Sequence, residues 1–371
     1  MKITFIIISL SILLSINSYV ILRGYQVLPA LYAIRSTYLV GMIALFIVMM
    51  VTMILGNEIS PVIDKTFSFI GFSYVIIFVY LLFSFLLVDF IRIINHFIHF
   101  FPISVASFRL WIMVITLAIT AVAMIIGNYK FNHPKITTLN LSTDKPKQNK
   151  TLKIVAVSDL HLGISIDKQM LQGFVKLING QHPDIVLLAG DVSDRWMEPV
   201  IRQNMLEELK SIKAPMGVFA INGNHEHYAE IQNATADYLK KAGIVVLRDQ
   251  VNMVNSRFYI VGREDKSNPN RKKLSEIVKG LDENLPLILM DHQPHNLEEA
   301  EQNGVDLQIS GHTHNGQFFP GNLFVKKMYE MGYGYLKKGA THYYVSSGLG
   351  IWGPQYRIGT ESEVVVVNLK Y

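Results

Sequence analysis

Five short polar clusters carry the residues that could do chemistry: Ser158-Asp159-Leu160-His161, Gly190-Asp191, Gly223-Asn224-His225-Glu226, Asp291-His292 and Gly311-His312-Thr313-His314. Carboxylate, amide and imidazole donors suit Mn, Fe or Zn and need no thiolate. That fits a chain of 371 residues without a cysteine, which also excludes disulfide scaffolds, iron–sulfur clusters and cysteine nucleophiles. Two divalent ions about 3.5–4 Å apart form a clamp for in-line displacement at phosphorus. So close a pair of cations needs a bridging anion, and a carboxylate can supply one. The spacing Asp159-x-His161 is expected to put both side chains on one side of an extended segment, and His312-x-His314 likewise. Gly190, Gly223 and Gly311 let the backbone turn tightly around ions.

Each residue also has a plainer reading. Asp159 or Asp191 alone would read as a helix N-cap, and Asn224 beside Gly223 as a turn residue. His292 competes with His295, but directly follows an apolar run. His182, His227 and His342 read as exposed, neighbouring and structural residues. Asp194 reads as a cap for a helix near 199, with a site role as the alternative. Arg263, Lys266, Arg271, Lys272 and Lys273 form a basic group, either a solvated loop or a surface for phosphate. Arg263 is its best substrate-binding candidate, because it leaves the end of an apolar run.

The elements that must position these clusters follow from the pattern. Each cluster comes after an apolar run: 154–157, 185–189, 217–221, 287–290 and 307–309. Residues 167–179 have helical spacing, with Met170, Leu171, Phe174, Val175 and Ile178 on one face. Helical stretches at 199–212 and 229–242 alternate with the first strands, which predicts parallel βαβ units. Later strands at 251–254, 258–261, 343–345 and 364–369 have only short helices near 272–278 and 296–301 between them. The prediction is an α/β fold with a mixed, two-sheet core. In open α/β sheets, ligands bind outside the carboxyl ends of the strands, where all five clusters fall.

The first 129 residues differ. They hold only nine charged residues: Lys2, Arg23, Arg35, Glu58, Asp64, Lys65, Asp89, Arg92 and Arg109. Uncharged runs at 3–22, 36–57, 66–88 and 110–129 are each long enough to cross a bilayer, which takes about 20 helical residues. Breaks at Asn57–Pro61 and around Pro102 separate them. A signal peptide is the alternative for the first run, but Asn17-Ser18-Tyr19 is a poor cleavage site. Four spans put both termini on one side. Lys2, Lys65, Lys130, Lys135 and Lys145 against Arg23, Arg35, Arg92 and Arg109 tilt the charge count slightly toward a cytoplasmic C-terminal part. Asp89 and Arg92 read as an end-of-helix ion pair, and His96 and His99 as interfacial residues. The organisation expected is a transmembrane anchor over 1–129, a linker or first edge segment over 130–150, and a catalytic domain over 151–371. A net charge of +5 is too mild for a nucleic-acid binder, and none is expected as a partner.

The five ordered clusters resemble the motifs of the calcineurin-like metallophosphoesterases, over about residues 150–371. GHTHNGQ at 311–317 and SSGLG at 346–350 are similar to the bacterial branch with membrane-attached members, and eukaryotic transmembrane proteins with a metallophosphoesterase domain have a similar layout. The resemblance implies an α/β/β/α sandwich behind the all-α four-helix anchor. It implies that Asp159, His161 and His314 hold a first metal, that Asp191 bridges, and that Asn224, His292 and His312 hold a second. It implies that metal-activated water attacks phosphorus, that His225 contacts the phosphoryl group or protonates the leaving group, and that Glu226 orients His225. The family more often has Asp at that last position.

The function expected is a multi-pass membrane phosphoesterase of the plasma or inner membrane, acting on a phosphodiester or pyrophosphodiester. A lipid-linked phosphate is the first substrate class, and UDP-diacylglucosamine of lipid A synthesis the first member the resemblance implies. The alternative is a non-enzymatic membrane scaffold or trafficking protein that uses the metal domain for binding. Nothing in the sequence fixes an oligomeric state.

Overall fold

Runs of uncharged residues become helices, and short β-branched runs become strands. The computed structural model describes residues 2–55, 61–99, 105–145 and 150–371. Chain contacts divide it into two compact units: 1–126 with Gly353–Gln355, and 127–352 with 356–371.

The first unit holds helices α1 (Lys2–Val27), α2 (Tyr32–Leu55), α3 (Pro61–Ile98) and most of α4 (Val105–Asn132), whose residues from Gly127 on belong to the second unit. Four helical segments are long and apolar enough to cross a membrane. The breaks at Glu58 and Pro102 lie outside the described residues. α3 has 38 residues, about 57 Å at 1.5 Å per residue, and outreaches a hydrocarbon core of about 30 Å. Its end carries the polar group: Asp89 pairs with Arg92 at 3.1 Å, as the three-residue spacing predicts, and also with Arg23 at 2.6 Å. Tyr19 donates its hydroxyl to the same carboxylate at 2.8 Å. Outward-facing Ile, Leu, Phe and Trp side chains cover these helices, among them Ile43, Phe83, Trp111 and Ile125. Such a surface is suited to lipid rather than water.

The second unit has two six-stranded sheets. Its strands are β1 (Lys135–Ser142), β2 (Thr151–Val157), β3 (Ile185–Ala189), β4 (Val218–Ile221), β5 (Val245–Val246), β6 (Gln250–Val254), β7 (Phe258–Gly262), β8 (Leu287–Met290), β9 (Leu307–Ser310), β10 (Gly334–Lys338), β11 (Thr341–Val345) and β12 (Glu363–Lys370). One sheet runs β1-β12-β2-β3-β4-β5 and the other β10-β11-β9-β8-β7-β6. β2, β3 and β4 are parallel, as are β7, β8 and β9, so their carboxyl ends share an edge in each sheet. Ile154, Leu187, Phe219, Ile260, Ile288, Ile309 and Val365 fill the core between the sheets. Helix α5 (Lys168–Asn179) packs Leu171, Phe174, Val175 and Ile178 into a second core on the outer face of the first sheet. Asp167 caps it by accepting from the Met170 amide at 3.0 Å. A third core, with Val261, Leu289 and Val345, lies under Leu297 and Leu274 of short helices on the other side. The layers are therefore α/β/β/α.

Of the two readings for 130–150, linker or first edge segment, residues 135–142 take the second, paired in parallel with β12 from Lys135↔Glu363 to Ser142↔Lys370. One local expectation changes: the 199–212 helix is two short ones, Glu198–Arg202 and Leu206–Lys210.

Candidate metal centre

Strand ends deliver the predicted side chains to one point. Asp159 and His161 follow β2, Asp191 follows β3, Asn224 and His225 follow β4, His292 follows β8, and His312 and His314 follow β9. Loops after neighbouring strands are stitched to each other. The Asp159 amide donates to Gly190 O at 3.0 Å, the His161 amide to Asp191 O at 3.0 Å, and the Gly311 amide to His292 O at 2.9 Å.

The ligand segments are not extended, contrary to the alternation argument. Asp159, His161, Asp191, His312 and His314 have φ of 55°, 49°, 50°, 73° and 50°. Left-handed backbone at non-glycine residues costs on the order of 1–3 kcal/mol each, and it concentrates at functional sites. The two-residue spacing still converges, but through turns. Close approach also explains two glycines. A Cβ on Gly223 would collide with the Asp191 carboxylate, and Gly190, at φ 91°, lies against the His292 ring.

Three overlapping sets of donors have their ligand atoms within 4.8 Å of one another: Asp159, His161 and His314; His161, Asp191 and His225; Asp191, His292 and His312. Asp191 belongs to two of them. Its Oδ2 lies 3.9 Å from His161 Nε2 and 3.2 Å from His292 Nε2. Asn224 completes the second side, with Oδ1 3.1 Å from His292 Nε2 and 2.6 Å from His312 Nδ1.

These donors fit divalent cations. His292 Nδ1 lies 2.8 Å from the Ala189 carbonyl, which can only accept, so Nδ1 carries a proton. Nε2 then faces the Asp191 carboxylate and the Asn224 oxygen, an arrangement that a proton or a metal ion at this point satisfies. His161 Nε2 and His314 Nε2 face each other at 3.2 Å. Nδ1 of both is buried without a hydrogen-bond partner. The two facing Nε2 lone pairs repel one another unless a proton or a cation lies between them.

Charge points the same way. Burial holds His161 down to about 3, and His312 down to about 4. Burial, reinforced by the Arg357 charge, holds His314 well below its ordinary value. Neutral imidazole is the form that ligates metal. Burial would push Asp191 up, yet the His292, His161 and His225 charges hold it far below the carboxylate range. Burial would lower His292, but the Asp191 charge and hydrogen bond raise it well above its ordinary value. The Asp191 charge thus favours a cation at this point.

His225 stands apart. Its Nδ1 lies 3.0 Å from Asp194 Oδ1, a pure acceptor, so Nδ1 is protonated and Nε2 is the free nitrogen. Burial would lower its proton affinity, but the Asp194 hydrogen bond and the Asp191 charge raise it. Asp194, not Glu226, therefore orients His225. Glu226 is fully buried and accepts from the Ser193 amide at 2.8 Å and the Gly223 amide at 2.7 Å. It ties the β3 and β4 loops together, and burial followed by the Asp191 charge lifts its carboxyl to about 7. The sequence signal for Asp194 was its place three residues past Asp191, masked by the cap reading.

Other candidates lie elsewhere. Arg263 is not a cleft residue: it is buried against Asp249 at 3.4 Å and Glu299 at 3.3 Å and donates to Lys272 O at 2.8 Å. Acidic partners around the end of β7 capture it. Asp291 is held by Arg271. His295 packs on Tyr329 with ring centroids 5.0 Å apart, outside the cluster. His182 is exposed, His227 half-buried, and His342 donates from Nε2 to Ser142 O at 3.1 Å and accepts from the Tyr335 hydroxyl at Nδ1 at 2.8 Å.

Arg357 was not foreseen. It is fully buried and donates to His314 O at 3.2 Å, Gly348 O at 2.9 Å, Gly350 O at 2.6 Å and Ser362 Oγ at 3.1 Å. It pins the His314 turn to the 348–362 loop, and burial lowers its pKa to about 10.

The profile of the calcineurin-like phosphoesterases matches residues 152–316. An uncharacterized metallophosphoesterase of Campylobacter jejuni is 33% identical over 248 residues, 66% of this chain and 65% of that one. A zebrafish (Danio rerio) transmembrane protein with a metallophosphoesterase domain is 28% identical over 284 residues, 72% of this chain and 64% of that one. The chain thus spans less than two thirds of the length of either relative. An uncharacterized metallophosphoesterase of Aquifex aeolicus is 30% identical over 262 residues, 67% of this chain and 98% of that one. A relative matched over almost its whole length, together with the profile, shows that this chain belongs to the calcineurin-like metallophosphoesterase family.

Proposed function

We propose that the chain is a membrane-anchored, metal-dependent phosphoester hydrolase with two divalent ions. The observation that carries the reading is that Asp191 Oδ2 lies between the two sides, 3.9 Å from His161 Nε2 and 3.2 Å from His292 Nε2. Asp159, His161 and His314 would hold one ion, Asn224, His292 and His312 the other, with Asp191 shared. Bound there, the ions would neutralise phosphoryl charge and activate water. Nitrogen and oxygen donors suit Mn, Fe or Zn. His225, with Nδ1 fixed on Asp194, holds a proton at Nε2 for the leaving oxygen. Glu226 keeps the β3 and β4 loops in register so that Asp191 and Asn224 converge.

The substrate class is a phosphodiester or pyrophosphodiester. A lipid-linked phosphate comes first, because four apolar helices precede the site in the chain. UDP-diacylglucosamine is one member, and it rests on the resemblance alone. Residues 1–129 serve as the anchor and 151–371 as the catalytic part, on the cytoplasmic side of a plasma or inner membrane. The test is hydrolysis of bis(p-nitrophenyl) phosphate by the full chain in detergent. Chelation should abolish turnover, and Mn, Fe or Zn should restore it. Turnover indifferent to chelation would refute the metal role.

A further inference from the structure

A hollow of about 460 Å³ opens beside His225. Trp196, Tyr228 and Trp352 wall it, and Asp194, Arg195 and His225 also line it. Trp352 meets His225 edge to face with ring centroids 6.1 Å apart. Its backbone is fixed by Gln317, whose amide donates to Trp352 O at 2.7 Å. Tyr228 is 71% exposed and Trp196 36%. Large flat side chains gathered around one opening mark a binding surface.

We propose that this hollow is the leaving-group subsite, and that it takes a flat, uncharged aromatic ring of the nucleobase class. The proposal rests on the phosphoesterase reading, because His225 marks the leaving-group side of the metal centre. Two indoles and a phenol offer stacking faces, and base–aromatic stacking is selective for flatness rather than sequence. The resident cation narrows the class further. The Arg195 guanidinium carbon lies 5.9 Å from the Trp196 ring and 5.8 Å from the Trp352 ring. An aromatic cage of this kind would otherwise suit a quaternary ammonium headgroup. With Arg195 already over both indoles, a second cation is repelled, while a neutral ring can stack on the indoles and the guanidinium plane alike.

The experiment uses the full chain in detergent with two methyl phosphodiesters, of 2-naphthylmethanol and of decahydro-2-naphthylmethanol. Both leave as primary alkoxides on the same carbon skeleton, but only the first is flat. The expected KM is about tenfold lower for the flat ester, from stacking energies of this size. Tyr228→Leu, at an exposed position that tolerates change, and Trp352→Leu should each shrink that ratio to within about twofold. Equal KM values, or a preference for the saturated ring, would overturn the proposal, the latter in favour of an aliphatic, lipid-like leaving group. If neither ester is hydrolysed, the phosphoesterase reading is judged separately, on metal-dependent hydrolysis of bis(p-nitrophenyl) phosphate. Calorimetric binding of 2-naphthylmethyl phosphonate against its decahydro analogue then decides the pocket: tenfold tighter binding of the flat ligand, lost in Tyr228→Leu, supports it, and equal affinity rejects it.

Discussion

His161 and His314 face each other nitrogen to nitrogen at 3.2 Å, whereas His292 and His312 meet over the Asn224 oxygen. The two sides of the metal centre share Asp191 but are prepared differently. On the His292 side, the Ala189 carbonyl fixes the tautomer and aims Nε2 inward. On the His161 side, neither Nδ1 has a hydrogen bond, and His161 Nδ1 lies 3.8 Å from Asp194 Oδ1. A histidine oriented by a hydrogen bond at its other nitrogen is a preorganised ligand. One side is therefore more firmly oriented before a metal arrives than the other. Chelation should strip the Asp159–His161–His314 side first.

Removing what the sides share should do the most. Asp191→Asn replaces the carboxylate with a neutral amide that cannot offset two cations. Hydrolysis of an aryl phosphodiester should fall by more than the roughly 10–100-fold that an outer-shell change costs, down to background. His225→Ala comes next, with a loss of about 10²–10⁴ in turnover that added metal does not restore. That loss should be smaller for an aryl leaving group than for an alkyl one. Metal loss in this variant would instead make His225 a ligand, as its proximity to His161 and Asp191 allows. His314→Ala separates the two sides: metal affinity should drop on its own side, and excess metal should partly recover the rate. Asp194→Asn should be the mildest, about 10–100-fold in turnover with metal content largely unchanged, since its hydrogen bond is to His225 and it lies 3.8 Å from His161 Nδ1.

Much of this arrangement is legible in the chain. Asp159, Asp191, Asn224, His292, His312 and His314 each stand just past an apolar run, and buried parallel strands put such positions on one edge. Four uncharged runs likewise announce four helices. What escapes is whatever depends on neighbours distant in sequence. Asp194 has the look of a cap until the fold turns it toward His225. Arg357 is an ordinary loop arginine until three carbonyls close around it. Arg263 has the right place on its strand, yet Asp249 and Glu299 come from other elements to claim it. The edge segment at β1 is legible as one alternative, but its partner, β12, is not, because it lies more than 200 residues away.

The shared carboxylate can be tested by counting metal. The full chain, loaded with Mn or Zn and dialysed, should hold two ions by elemental analysis. His314→Ala and Asn224→Ala should each hold one, and Asp191→Asn fewer than one. A single ion in the unmodified chain, or two ions retained by Asp191→Asn, would contradict the account.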